Sequence, residues 1–224
     1  MGDQGSARTV QPTVETEQAL LTGAGEGLLI GIDEVGRGAL AGPVSIGAVA
    51  LDSRCIQRED LIPPGIRDSK ALSAKRRREL VPPICSWVRA YAVTHVPAER
   101  IDQVGIIRAL GEGALASVLA VQRDTGESIR VVLLDGRHDF LGPLDDSIPV
   151  RTVVKGDASC MSIAAASILA KVQRDELMGQ LHEEYPHYGW DKNVGYGTAQ
   201  HRRAMSAHGI TPFHRASWQL NPLT

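Results

Sequence analysis

The sequence predicts an α/β fold: a mixed β-sheet flanked by helices, closed by a C-terminal helical extension. Two aliphatic runs, Gly27 to Asp33 and Val44 to Leu51, and an alternating stretch, Val88 to Val96, precede the first long helical pattern. Three strands in that position suggest hairpin-linked neighbours. Two later runs, Ile129 to Leu134 and Pro149 to Val154, are set apart by a loop and flanked by helices, which suggests mixed pairing.

Taken in order, residues 1–26 read as a disordered tail. Its start, Met1 to Ser6, formally matches a myristoylation pattern, but no basic cluster supports an anchor there. Gly27 to Asp33 is a buried strand by its unbroken apolar character. Gly42-Pro43 sets off the second strand. A short basic helix spans Ser73 to Val81 and is expected to stop at Pro82-Pro83. Ala98 to Arg123 is an amphipathic helix whose apolar face carries Ile101, Val104, Ile107, Leu115, Val118 and Leu119. Ala158 to His182 is helical, with Ala164-Ala165-Ala166-Ser167 where another backbone can approach closely. In the tail, Thr198 to Ala207 is the clearest helix. The expected organisation is an α/β core at 27–184 and a helical extension of the same domain at 185–224.

The chain has 224 residues and a formal net charge of -2, so it is not a generally basic nucleic-acid binder. Basic residues are concentrated at Lys75-Arg76-Arg77-Arg78 and in the tail, where Lys192, Arg202, Arg203 and Arg215 face only Asp191 after Pro186. The run Lys75 to Arg78 reads first as a solvated helix face. Three cysteines without CxxC or Cys/His spacing argue against a disulfide framework and structural zinc. A reducing, cytoplasmic setting is expected. No segment is long and apolar enough to span a membrane.

The chemistry lies in acids at strand ends. Asp33-Glu34 closes the first apolar run, Asp135 closes Ile129 to Leu134, and Asp157 follows Val153-Val154-Lys155-Gly156. Adjacent buried carboxylates are unfavourable unless a positive charge neutralises them. A hard divalent cation with oxygen-only ligands would do so. Two such ions are a standard device for in-line attack on a phosphodiester. Each acid also has a plainer reading. Asp157 could cap the helix that follows it, Asp135-Gly136 could be a turn, and Asp33-Glu34 could be a salt-bridged strand end. Asp175 and Glu176 read as solvated, and His187, His201 and His214 as ordinary hydrogen-bonded histidines. The spacing of Gly31, Gly36 and Gly38 does not fit a dinucleotide fingerprint, and no G-K-[ST] exists for a P-loop.

Together the motifs resemble the ribonuclease HII (type 2 ribonuclease H) family, over about Leu28 to Trp218. Gly31-Ile32-Asp33-Glu34-Val35-Gly36-Arg37-Gly38 with Ala41-Gly42-Pro43-Val44 is similar to its first-strand signature. Asp68-Ser69-Lys70-Ala71-Leu72, Leu134-Asp135-Gly136, Lys155-Gly156-Asp157, Ile163 to Asp175, Gly195-Tyr196-Gly197-Thr198 and His214-Arg215 follow in the family's order. The resemblance implies an RNase H-like fold. It implies cleavage of RNA in RNA/DNA hybrids and incision at single ribonucleotides embedded in duplex DNA. It makes Asp33, Glu34, Asp135 and Asp157 the catalytic, metal-binding carboxylates for Mn²⁺ or Mg²⁺, expected as two ions. It assigns Gly36-Arg37-Gly38 to the ribose 2′-OH, Tyr196 to the following sugar and Lys70 to phosphate. Glycines in that loop let backbone approach the sugar, and those around Tyr196 suggest a flexible, uncrowded backbone. The ending His214-Arg215-Ala216-Ser217-Trp218 departs from the family's usual H-R-R-S-F, and the six residues after Trp218 contain no clamp-binding motif. Nucleic acid is therefore the expected partner of a monomer, with no protein partner evident and no membrane. The rival readings are another RNase H-like nuclease, of resolvase or transposase type, and a non-catalytic hybrid-binding protein.

Overall fold

In the computed structural model, residues 11–22, 27–142, 146, 148–218 and 220 are described. Five strands form one sheet in the order β3-β2-β1-β4-β5: β1 (Leu28–Val35), β2 (Val44–Leu51), β3 (Ala90–Val96), β4 (Ile129–Asp135) and β5 (Val150–Val153). β1, β2 and β3 pair antiparallel, whereas β4 runs parallel to β1 and β5 parallel to β4. The mixed pairing expected from the strand spacing is present.

Side-chain alternation gives the sheet two buried faces. Leu28, Ile30, Ile32, Ile46, Val132 and Leu134 pack against Ala109, Leu110, Ala114, Val118 and Val121 of a long helix. Leu29, Val49, Leu51 and Leu133 face Ile163 to Leu169 and the apolar stripe Leu80, Ile84 and Trp87. Burying each large aliphatic side chain contributes about 1.5–3 kcal/mol, so both faces are strongly specified. A third cluster, around Leu40, Met178, Tyr188, Trp190 and Met205, attaches the tail to the end of β1.

The helices are α1 (Glu15–Leu21), α2 (Ser53–Gln57), α3 (Ala74–Trp87), α4 (Ala98–Val104), α5 (Ile106–Thr125), α6 (Gly156–Ser159), α7 (Met161–Glu184), α8 (Trp190–Asn193) and α9 (Ala199–His208). Three expectations for them are corrected. Pro82-Pro83 does not stop α3, because both prolines are exposed while Leu80, Ile84 and Trp87 keep their i, i+4, i+7 contact with the core. The 98–123 helix is two, broken where Gly105 takes φ 77°. The 158–182 helix is also two, parted by extended Cys160, which forms an isolated bridge with Thr13.

The expected disordered tail is folded where it is described. The buried Glu17 carboxylate of α1 accepts the Ser162 N–H at 2.8 Å and the Ser162 hydroxyl at 2.7 Å. A carboxylate suits a helix N-terminus, where N–H groups lack partners. Residues 1–10, with the myristoylation pattern, lie outside the described residues.

Candidate active site

The order of the sheet, with β1 between β2 and β4, assembles the acids. The parallel register ends on Ile32 opposite Leu134, so the next residues, Asp33 and Asp135, are neighbours. Both alternate onto the face covered by α7. Asp135 Oδ1 accepts the Gly156 N–H at 2.7 Å, tying the end of β4 to α6, on which Asp157 sits. Asp157 is thus inside α6 rather than its cap, which is Lys155 at φ 58°. Gly136 does take a turn geometry (φ 101°), so Asp135 is both a strand end and a turn residue.

The electrostatics of the site follow from this proximity. Asp33 is buried, and its carboxyl is pushed well above the usual range by desolvation, with Glu34, Asp135 and Asp157 adding repulsion against a lowering bond from Ser167. Glu34 is raised by burial and by Asp135, partly offset by Arg37 at 3.5 Å. Asp157 is raised by burial and by Asp135 and Asp68, partly offset by Lys70. Lys70 is exposed, with Nζ 3.8 Å from Asp157 Oδ2. Burial works against its charge, but Asp33, Asp68, Asp157 and Asp135 outweigh that and raise its pKa. Among the described residues no three acids, histidines or cysteines form a closed ligand set. The four carboxylates are neighbours that share excess negative charge. Their all-oxygen donor set fits a hard divalent cation.

A recess of about 380 Å³ opens beside Asp33 and Glu34, lined by Gly36, Arg37 and Gly38 on one side and by Ser69, Lys70, Lys171 and Tyr196 on the other. Asp135 and Asp157 border this region without lining the recess. A roomier hollow of about 770 Å³ lies at the other end of β1, by Gly27, Asp52, Arg54 and Glu127, away from these acids. Chemistry, not size, marks the smaller one. Gly38 faces it openly: a Cβ there would meet nothing nearer than the Tyr196 ring, at 3.9 Å. Gly36 answers to an internal demand, since it sits at φ 85° and a Cβ would overlap the Arg174 guanidinium.

The expectation of a flexible backbone around Tyr196 is corrected. Gly195 N–H is accepted by Asn193 Oδ1 at 2.9 Å, its carbonyl accepts Leu40 N–H at 2.8 Å, and a Cβ on it would overlap the Ala41 carbonyl. The preceding Val194 is held at φ 43°, a strained conformation for a β-branched residue. The Tyr196 carbonyl accepts from His201 Nδ1 at 3.0 Å. Trp190 Nε1 donates to His201 Nε2 at 3.1 Å, and His214 Nε2 completes the chain to His201 Nε2 at 3.1 Å. Thr211 N–H donates to His214 Nδ1 at 2.9 Å. This pattern requires both histidines neutral, His201 protonated on Nδ1 and His214 on Nε2. His201 and His214 are therefore buried structural histidines, as their sequence context suggested.

Sequence reading missed several neighbours of the acids. Ser167 is among the neighbours that lower the Asp33 pKa, and its Oγ lies 2.8 Å from Ser69 Oγ. Lys171 Nζ lies 2.7 Å from Asp175 Oδ1, and Arg77 reaches Asp175 Oδ2 at 3.5 Å while donating to the Ser69 and Leu72 carbonyls. Asp175 and Arg77 are therefore paired and half-buried rather than fully solvated. The signal was a helical one: Ser167, Lys171 and Arg174 recur at i, i+4, i+7 on α7. Arg174 and Arg215 are both fully buried.

Among known proteins, residues 30–221 match the family model described as Ribonuclease HII. The Ribonuclease HII of Paracoccus denitrificans is 45% identical over 210 residues, covering 92% of this chain and 91% of the relative. That of Streptomyces avermitilis is 42% identical over 209 residues, covering 92% and 83%. The ribonuclease H2 from Pyrococcus horikoshii OT3 has a TM-score of 0.68 at 25% identity, covering 86% of this chain and 94% of that one. RNase HII in the PCNA:RNase HII complex from Archaeoglobus fulgidus gives 0.68 at 26%, covering 88% and 98%. Bst-RNase HIII, solved in complex with Mn²⁺, shares the fold at 0.64 and 22%, covering 90% and 70%.

Proposed function

The chain belongs to the ribonuclease HII family and is a ribonuclease H, a hydrolytic endonuclease, and we propose that Asp33, Glu34, Asp135 and Asp157 are its catalytic carboxylates. The carrying observation is their placement: the β1–β4 register sets Asp33 beside Asp135, and Asp135 Oδ1 accepts the Gly156 N–H next to Asp157, with the carboxyls of Asp33, Glu34 and Asp157 raised partly by their acidic neighbours. Such a cluster is stable in its ionised form only with a cation beside it. We assign the four as ligands of Mg²⁺ or Mn²⁺, as two ions. The bound metal supplies activation of water and neutralisation of charge on the phosphate oxygens.

The rest is done by the chain's own groups. Lys70, exposed at the rim, presents a positive charge to phosphate. Gly36-Arg37-Gly38 offers backbone to the ribose 2′-OH, and the exposed Tyr196 ring offers a flat face to the following sugar. On this reading the enzyme cuts the RNA strand of hybrids and incises at a single ribonucleotide in duplex DNA. The site needs one chain only, which suits a monomer, and three free cysteines suit the reducing cytoplasm. Residues 27–184 act as the catalytic core, and 185–224 as the extension that carries Tyr196. The resolvase-like and non-catalytic alternatives lose their ground to the family match over residues 30–221.

The test is a labelled duplex with one ribonucleotide, incubated with protein and Mn²⁺ or Mg²⁺. Incision at that residue alone, abolished by EDTA and restored by either ion, is expected. Unchanged cleavage in exhaustive chelator would overturn the metal assignment.

A further inference from the structure

Beneath the loop that lines the recess lies a guanidinium from the far end of the chain. Arg215 is fully buried, and no salt bridge to it is formed among the described residues. A buried charge must be met by hydrogen bonds. Arg215 spends its donors on backbone: Nη1 donates to the Arg37 carbonyl at 2.7 Å, and Nη2 to the Gly36 carbonyl at 2.6 Å and the Gly42 carbonyl at 3.2 Å. Its own position is fixed in turn. The Arg215 N–H donates to the Leu40 carbonyl at 2.9 Å, and the guanidinium lies 4.8 Å from the Trp218 ring centre. Asp102 accepts the next two backbone N–H groups, of Ala216 at 2.8 Å and Ser217 at 3.1 Å.

The consequence follows from peptide planarity. In a trans peptide the carbonyl and the following N–H point in opposite directions. Pinning the Gly36 and Arg37 carbonyls inward therefore turns the N–H groups of Arg37 and Gly38 outward, on the side where these residues line the recess. Neither N–H has an acceptor among the described residues. Only a planar fork sets two successive peptide planes at once, and a lysine ammonium lacks that geometry. We infer that Arg215 is a positioning residue for ribose recognition, holding the Gly36–Gly38 loop so that two consecutive N–H donors face the sugar hydroxyl. The inference rests on the proposed reading of that loop as the 2′-OH reader.

The experiment measures binding preference, without cleavage, in EDTA. Fluorescence anisotropy compares a duplex carrying one ribonucleotide with the same duplex in all-DNA form. Three variants are used, each with a melting curve: Arg215→Lys, Asp102→Ala and Gly38→Ala. Gly38→Ala fits the fold and places a methyl group in the reader, so it tests the loop itself. Arg215→Lys should lower the preference about tenfold, the worth of one misplaced hydrogen bond, with all-DNA affinity unchanged. Asp102→Ala, at an exposed anchor, should lower it less, about threefold, and carries the test should Arg215→Lys not fold. If Gly38→Ala collapses the preference but Arg215→Lys and Asp102→Ala leave it intact, Arg215 is mere packing and the inference falls alone. Absence of any preference in the wild type, or a preference untouched by Gly38→Ala, removes the 2′-OH reading and the inference with it.

Discussion

Replacing Asp135 by Asn should separate turnover from stability. Asn keeps an oxygen where Oδ1 accepts the Gly156 N–H at 2.7 Å, so the tie between β4 and α6 survives as a neutral bond. The difference between a charged and a neutral acceptor is about 1 kcal/mol. Against it stands relief of the repulsion that Asp135 exerts on Asp33, Glu34 and Asp157, a gain of about the same size. The two nearly cancel, so the melting temperature in EDTA should move by no more than about 4 °C. Turnover should fall much further. Loss of a residue that merely orients a metal ligand costs about 10–100-fold, so loss of a ligand charge should cost at least about 100-fold. The assay is a single-turnover time course on a duplex with one ribonucleotide, beside melting curves in EDTA and anisotropy for binding. Binding should persist or tighten, since a charge facing phosphate is gone. Near wild-type cleavage, or a drop in melting temperature of more than about 8 °C, would reduce Asp135 to a turn residue and refute the reasoning.

Three further outcomes are expected. Tyr196→Ala should fold normally and lose more activity on a single ribonucleotide than on a continuous hybrid; a uniform loss with a lowered melting temperature would assign the ring to packing instead. The pKa of His214 is depressed to about 4 by burial and by the neighbouring His201. At this site the unfolded chain therefore binds more protons below about pH 6.5, and the His214 contribution to stability should decline as pH falls from there toward 4, by up to about 3 kcal/mol, against the opposite contribution of the raised acids. His201 is lowered as well and acts in the same direction. Urea melts of wild type and His214→Gln across that window check this, and equal pH slopes for the two would refute it. Gly47→Ala should destabilise by about 3 kcal/mol, because a Cβ there overlaps the Ala166 carbonyl of α7, a backbone atom that cannot swing away; an unchanged urea midpoint would show that the layers can part.

The boundaries of β2 were legible to the residue, and those of β1, β4 and β5 within two, because a run of aliphatic side chains reports local burial directly. Helix interiors were legible for the same reason, but their breaks were not. Gly105 and Cys160 interrupt helices at points where the apolar pattern continues, and Pro82-Pro83 fails to interrupt one because its packed face outweighs two missing donors. The four candidate carboxylates could be named from the chain alone, since their chemistry resides in residue type and in their place after apolar runs.

By itself, then, the sequence determined the strands, the acids at their ends and the family resemblance, all of which rest on neighbouring residues. Only the tertiary structure decided which strands are neighbours, and so that Asp33 stands beside Asp135. It also decided that Glu17 orders a segment expected to be loose by bonding Ser162, 145 residues away. The same holds for Arg215, which reaches 178 residues back to the Arg37 carbonyl. No periodicity encodes such contacts, because they join groups through space after the core has formed. A lone arginine near the C-terminus reads as surface charge until the fold closes over it, and the cost of burying it is met only by carbonyls that the distant loop supplies.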